Sequence, residues 1–181
     1  MNEKQLVKIS KYLSKHLRHQ PDRLGLTLEN GGWVKVDELL KACAENNFPI
    51  AFDELKEVVE RNDKQRFSFD ESGEKIRANQ GHSVEVDLQL KKQTPPARLF
   101  HGTAEQNISM IRRHGLLKMA RHHVHLSADT ETARRVGARH GKPVIFAVDA
   151  RAMLEKGFEF FVSENGVWLI ASVPPKFLEV L

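Results

Sequence analysis

The chain has 181 residues, 40% hydrophobic and 29% charged, which suits an ordinary soluble globular protein of one domain or two small lobes. Its single cysteine, Cys43, excludes an intramolecular disulfide and a cysteine zinc cluster, and no run approaches the roughly 20 apolar residues of a membrane span. The net charge of +4 is uneven: residues 1–93 carry 16 basic and 16 acidic side chains, whereas residues 94–181 carry 12 and 8, together with six of the nine histidines.

Met1 to Gln5 open directly into a helical pattern with no signal core, so a cytoplasmic location is expected. Leu6, Ile9, Leu13 and Leu17 recur at helical spacing, and Pro21 stops the element after Arg18-His19. Trp33 to Val36 reads as a short strand. Asp37 can then cap a second helix carrying Leu39, Leu40 and a buried Cys43, and Asp53 a third with Leu55, Val58 and Val59 inward. Arg66 to Phe69, a turn at Ser72-Gly73 and Lys75 to Ala78 form a β-hairpin. Three helices and a hairpin predict a winged-helix lobe over residues 1–93. Lys91 to Ala97, with Pro95 and Pro96, reads as an extended connector.

A second lobe over residues 97–181 is predicted to be richer in strands. Leu99 to Thr103 leads into a helix with Ile108 and Ile111 that Gly115 can end. Val124 to Ser127 reads as a strand, followed by a helix from about Asp129 to Arg139, and a buried strand over Val144 to Val148. Phe158 to Val162 and Val167 to Ala171 make a hairpin about Asn165-Gly166. The fold class expected is α+β.

The richest stretch is Arg121-His122-His123-Val124-His125-Leu126-Ser127. Read as one strand, it puts Arg121, His123, His125 and Ser127 on one face and His122, Val124 and Leu126 on the other. A cation, two imidazoles and a hydroxyl fill a core poorly and hold a phosphorylated ligand well. They suit a metal less: no Cys, Asp or Glu completes a ligand set, and Arg121 repels a cation. His101-Gly102-Thr103 allows either close backbone approach by a ligand or a tight turn with Thr103 as N-cap. Arg18-His19 by itself fits cations complementing a helix dipole, and Arg66 a solvated charge. There is no P-loop, dinucleotide glycine fingerprint or serine elbow, so phosphate chemistry falls to arginine and histidine.

Ser10-Lys11-Tyr12-Leu13-Ser14, Leu17-Arg18-His19, Asp63-Lys64-Gln65-Arg66-Phe67, Ile76-Arg77-Ala78-Asn79-Gln80-Gly81-His82-Ser83, His101-Gly102-Thr103, Arg121 to Ser127 and Glu164-Asn165-Gly166-Val167-Trp168-Leu169 occur in this order. From about Ser10 to the C-terminus, the chain resembles the NAD-dependent RNA 2′-phosphotransferases of the Tpt/KptA family. The resemblance implies a winged-helix lobe joined to an ADP-ribosyltransferase-like lobe, with the site between them. It implies removal of an internal RNA 2′-phosphate of the tRNA splice-junction type. The phosphate attacks NAD+ and nicotinamide leaves. The ribose 2″-hydroxyl then takes the phosphate, giving RNA 2′-OH and ADP-ribose 1″,2″-cyclic phosphate. No metal is implied.

The family's catalytic four fall on Arg18, His19, Arg66 and Arg121. Its NAD-binding residues fall on His101, Gly102, Thr103, His125 and Ser127, with Asn107, Gly115 and Leu116 on the adenosine side. Glu164 is expected to be a turn residue. The alternative carried forward is an ADP-ribosyltransferase acting on terminal phosphates of RNA or DNA. A non-enzymatic nucleic-acid-binding winged helix fits less well, because residues 1–93 are charge-balanced. Nothing resembles a zipper or a swapped arm, so a monomer is expected.

Overall fold

The computed structural model describes residues 1–61, 65–139 and 141–181, and its contacts divide the chain into two compact units, Met1–Gln89 and Leu90–Leu181. Both combine helices with small antiparallel sheets. Asp63 and Lys64 lie outside the described residues.

In the first unit, α1 (Glu3–Arg18) is amphipathic, with Leu6, Ile9, Leu13 and Leu17 buried. Asn2 caps it: its side chain accepts from the Gln5 N–H while the Gln5 side chain accepts from the Asn2 N–H. Strand β1 (Trp33–Lys35) runs into α2 (Val36–Glu45), which is followed by α3 (Phe52–Glu60). Asp37 and Asp53 are not caps. Lys35 and Ala51 occupy those positions, and both aspartates sit in the first helical turn, where they complement the dipole. Glu54 accepts from the Ala51 N–H in place of a capping side chain at 51. Strands β2 (Phe67–Phe69) and β3 (Lys75–Ala78) form the expected hairpin, and β1 extends it to an antiparallel sheet ordered β1-β3-β2. Leu13, Leu17, Leu39, Leu55, Ile76 and Phe67 fill the core between sheet and helices. Cys43 lies in that core as a small hydrophobe, and burial pushes its thiol up to about 11.

In the second unit, β4 (Arg98–Ala104) pairs with β7 (Pro143–Asp149), and β11 (Leu178–Val180) lies on the other side of β7. Between β4 and β7 come α4 (Ile108–His114), β5 (Leu116–Leu117), β6 (Val124–Leu126) and α5 (Thr130–Gly137). Strand β8 (Phe161–Val162) and strand β9 (Trp168–Ile170) form the second hairpin, with β6 on its far side. Strand β10 (Ser172–Val173) pairs with β5. Helix α6 (Ala150–Glu155), β5, β10 and β11 had no clear sequence signal, being only two to six residues long. The connector is not wholly free: Lys92 bridges to Phe161, and the Gln93 N–H donates to the Phe160 carbonyl at 2.9 Å.

Gly102 shows why β4 and α5 pack as they do. A Cβ there would lie 1.6 Å from the Ala133 carbonyl oxygen, and one on Gly137 would lie 2.8 Å from the Thr103 carbonyl oxygen. The glycine pair lets helix and strand backbones touch.

Candidate active site

The first unit gathers Arg18, His19 and Arg66 on a framework supplied by Asn79 to Ser83. Arg18 is the last residue of α1 and His19 its C-cap, so both side chains stand at the negative end of the helix dipole. The Arg18 carbonyl, one of the helix-end acceptors left without an intrahelical donor, accepts from the Ser83 N–H at 2.9 Å. Ser83 also holds the next residue, with Oγ 2.9 Å from His19 Nδ1. A hydroxyl can accept from a protonated Nδ1 or donate to a bare one, so His19 can change protonation state without losing its tether.

Arg66 lies just before β2. Its carbonyl accepts from the Asn79 N–H at 2.9 Å and from Arg18 Nη2 at 3.4 Å, while its own Nη1 donates to Ser10 Oγ at 3.3 Å. Asn79 is 5% exposed and donates through Nδ2 to the Gln65 carbonyl at 2.7 Å. Gln65 has φ +39°, an unusual conformation for a residue with a side chain. The buried Asn79 amide thus fixes the kink that presents Arg66. Asn79 and Ser83 stood in a sequence motif without an assigned role, because their partners are 14 and 64 residues away.

The second unit gathers the histidines. The strand starts at Val124 as expected, but the alternation read from Arg121 does not extend it: residues 121–123 are bends, and the Arg121 N–H closes back on the Lys118 carbonyl at 3.1 Å. Arg121 nevertheless meets His125, with Nη1 3.2 Å from Nδ1. A guanidinium can only donate, so this bond requires a bare Nδ1 and a proton on His125 Nε2. His123 does not share that environment. Its ring lies 5.8 Å from Phe161, and burial, His122 and Lys118 hold it below its ordinary range.

His101 on β4 has Nδ1 3.0 Å from the His125 carbonyl oxygen. A carbonyl only accepts, so Nδ1 carries the proton. Burial, reinforced by the Arg121 charge, lowers the His101 pKa against the opposing pull of that hydrogen bond. The neutral ring then keeps Nε2 as an acceptor. Thr103 is not an N-cap. It lies within β4, and its Oγ1 accepts from Asn107 Nδ2 at 2.9 Å. Ser127 pins β6 to β4, its N–H and carbonyl exchanging bonds with Phe100 at 2.7 and 2.8 Å.

Gly115 and Leu116 pack against β10. A Cβ on Gly115, at φ +77°, would lie 2.1 Å from the Val173 carbonyl oxygen, and Leu116 pairs with Val173. Glu164 sits in the turn of the second hairpin. Among the described residues no group of three or more His, Cys, Asp or Glu is placed to hold a metal ion, and no helix is long and apolar enough to cross a membrane.

The acceptor on His101, the donor on His125 and the guanidinium of Arg121 make a set suited to ribose hydroxyls and a diphosphate. The comparisons agree with this chemistry. Residues 4–172 match the sequence profile of the "RNA 2′-phosphotransferase, Tpt1 / KptA family". The chain belongs to this family. It is accordingly an RNA 2′-phosphotransferase, and the family's co-substrate is NAD. It is 64% identical over 181 residues to a probable RNA 2′-phosphotransferase of Trichormus variabilis, covering 100% of both chains. It is 60% identical to one of Nostoc punctiforme over 99% of each chain, and 56% identical to one of Streptomyces griseus over 98% of each.

Proposed function

We propose that this phosphotransferase removes an internal 2′-phosphate from RNA, as left at a tRNA splice junction, with Arg18, His19, Arg66 and Arg121 acting on the phosphate. In this reading residues 1–93 are a winged-helix lobe that handles RNA and phosphate. Residues 97–181 are an ADP-ribosyltransferase-like lobe that binds NAD through His101, Gly102, Thr103, Asn107, Gly115, Leu116, His125 and Ser127. NAD is spent as a second substrate, supplying a ribose carbon that accepts the phosphate as nicotinamide leaves. No metal takes part, and the working unit is a monomer in the cytoplasm.

The observation that supports the reading is how Arg18, His19 and Arg66 are held: Arg18 Nη2 donates to the Arg66 carbonyl, Arg66 Nη1 donates to Ser10 Oγ, and Ser83 bonds both the Arg18 carbonyl and His19 Nδ1. Arginine keeps its charge throughout and offers two donors at once to phosphate oxygens. When the ribose 2″-hydroxyl attacks the phosphate, negative charge grows on the phosphoryl oxygens, and fixed guanidiniums stabilise it. One proton must leave the 2″-hydroxyl and one must reach the departing RNA 2′-oxygen. His19, accessible and held through Nδ1, has Nε2 for either transfer, taking the 2″-hydroxyl proton when bare or giving one to the 2′-oxygen when protonated. In the second lobe, the His101 acceptor takes a hydrogen bond from a ribose hydroxyl, and Arg121 offsets phosphate charge.

The test is a short RNA with one internal 2′-phosphate, incubated with pure protein with and without NAD+ and no added metal, then weighed by mass spectrometry. The reading expects loss of one phosphate only with NAD+, together with ADP-ribose cyclic phosphate. RNA that gains ADP-ribose and keeps it moves the reading to an ADP-ribosyltransferase on nucleic-acid phosphates.

A further inference from the structure

We propose that one exposed face of α1 is a cationic track along which the RNA strand bearing the 2′-phosphate runs toward Arg18; this deepens the function proposed above and rests on it. Lys4, Lys8, Lys11 and Lys15 are all exposed, and they alternate by four, three and four residues, a step that Arg18 continues. At about 100° per residue, the five side chains fall within about 80° of the helix circumference, and they span about 21 Å of its length. The apolar face carrying Leu6, Ile9, Leu13 and Leu17 is turned into the core.

The charge arrangement around this face is selective. Residues 1–93 are balanced overall, yet the sole acid of α1, Glu3, lies off the track and faces Arg61 at 4.0 Å. Four other cations of the unit stand beside carboxylates: Lys35 with Glu38 at 3.4 Å, Lys41 with Glu45 at 3.9 Å, Lys75 with Glu29 at 2.6 Å, and Arg61 with Glu57. Among the described residues, no carboxylate forms an ion pair with any of the four track lysines; Lys8 leans over the Phe48 ring at 5.3 Å.

Helix stability does not explain the pattern. Like charges three or four residues apart cost an isolated helix about 0.2–0.5 kcal/mol per pair. Lys4 also lies in the first turn, at the positive end of the dipole. A phosphate backbone laid along the face reverses the sign of both effects and delivers its 2′-phosphate to the helix end that carries Arg18 and His19. An RNA strand is favoured over a flat anionic surface because the track is one side chain wide and ends at groups that bind phosphate.

The full-length protein tests this with two variants, Lys4→Gln/Lys11→Gln/Lys15→Gln and, off the track, Lys35→Gln/Lys41→Gln. Each is titrated by fluorescence anisotropy with a 20-nucleotide 2′-phosphorylated RNA over a salt series, and each is assayed on that RNA and on a 2′-phosphorylated dinucleotide. The triple variant is expected to bind the long RNA about tenfold or more weakly, and its salt slope to be shallower by about two, as three lost contacts to single strands require. Its loss of kcat/KM on the long RNA should exceed that on the dinucleotide by about tenfold, mostly in KM, while the off-track variant matches wild type. Equal losses on both RNAs, an unchanged salt slope, or the same loss in the off-track variant would overturn the track. So would tight binding to anionic lipid vesicles that the RNA does not displace. Failure of wild type to turn over either RNA refutes the proposed function instead, and the anisotropy comparison still judges the track.

Discussion

The two polar clusters of this phosphotransferase are built in opposite ways. In the first unit the catalytic candidates are at least partly exposed, and their contacts leave protonation free: His19 is tied to a hydroxyl that can either donate or accept. In the second unit His101 and His125 are each tied to a partner that permits one tautomer only, a carbonyl for His101 and a guanidinium for His125. The first arrangement suits groups that must move a proton and meet changing charge. The second suits groups that must present the same donors and acceptors to a ligand every time.

The largest effect that would break this contrast is at His19. His19→Ala should lower the rate of the second chemical step by about 10²–10⁴, the usual value of a positioned acid or base. Single-turnover rates measured across pH check this, because the loss should be largest where the wild-type rate is greatest. Next is Gly102→Ala. A methyl group 1.6 Å from a carbonyl oxygen cannot be absorbed by a side-chain rotation, so β4 and α5 must part. The expected cost exceeds about 3 kcal/mol, read by denaturant unfolding, with the second unit's transition lost or shifted. A glycine kept only for a ligand would leave the unfolding curve unchanged.

These two positions also show what the sequence made legible. The elements with a clear period or turn signal were readable: α1 from its leucine spacing, the Phe67–Ala78 hairpin from Ser72-Gly73, and β7 from its apolar run. Cap positions were not, because Asp37 and Asp53 satisfy a capping pattern and a first-turn pattern equally well. Residue type alone left Arg18, His19 and Arg66 as helix-end and surface charges; the family resemblance marked them as chemistry-bearing, and neither pointed to their supports. Asn79 and Ser83 act through hydrogen bonds that exist only after β3 folds back beside β2 and the chain beyond it returns to the end of α1. The alternation from Arg121 to His123 does not continue the histidine strand, because alternation in sequence does not reveal whether a backbone partner is present. Leu126 to Val124 face Trp168 to Ile170, and the pairing stops there.

A smaller effect is expected at Asn79. Asn79→Ala strips the Gln65 carbonyl of its donor beside a strained residue, costing about 1–3 kcal/mol of stability. It should lower kcat for the RNA roughly tenfold through Arg66, with KM for NAD unchanged; the energy behind such a kcat change is within the same range. A merely structural asparagine would change stability without that split in the kinetic constants.

The smallest effect is on pH-dependent stability. His101 and His123 are both held below their ordinary pKa in the fold, chiefly by burial. The unfolded chain therefore takes up their protons first as pH falls through the ordinary histidine value of 6.5, and their contribution is full above it and lost below it. Thermal midpoints should drop between pH 7.5 and pH 5.5, and His123→Phe should reduce that drop by removing one of the two groups. A variant with the wild-type pH slope would deny His123 its share.

The contrast itself is tested by comparing where two variants stall. Arg66→Ala and His101→Ala, each verified as folded, are mixed with excess 2′-phosphorylated RNA and NAD+, quenched over time, and weighed by mass spectrometry. The account predicts that Arg66→Ala accumulates RNA carrying ADP-ribose, since nicotinamide is released and the second step then fails. It predicts that His101→Ala accumulates nothing and is restored toward wild-type rate by raising NAD+. Both variants stalling at the same species, or His101→Ala accumulating the ADP-ribosylated RNA, would contradict the division of labour between the two clusters.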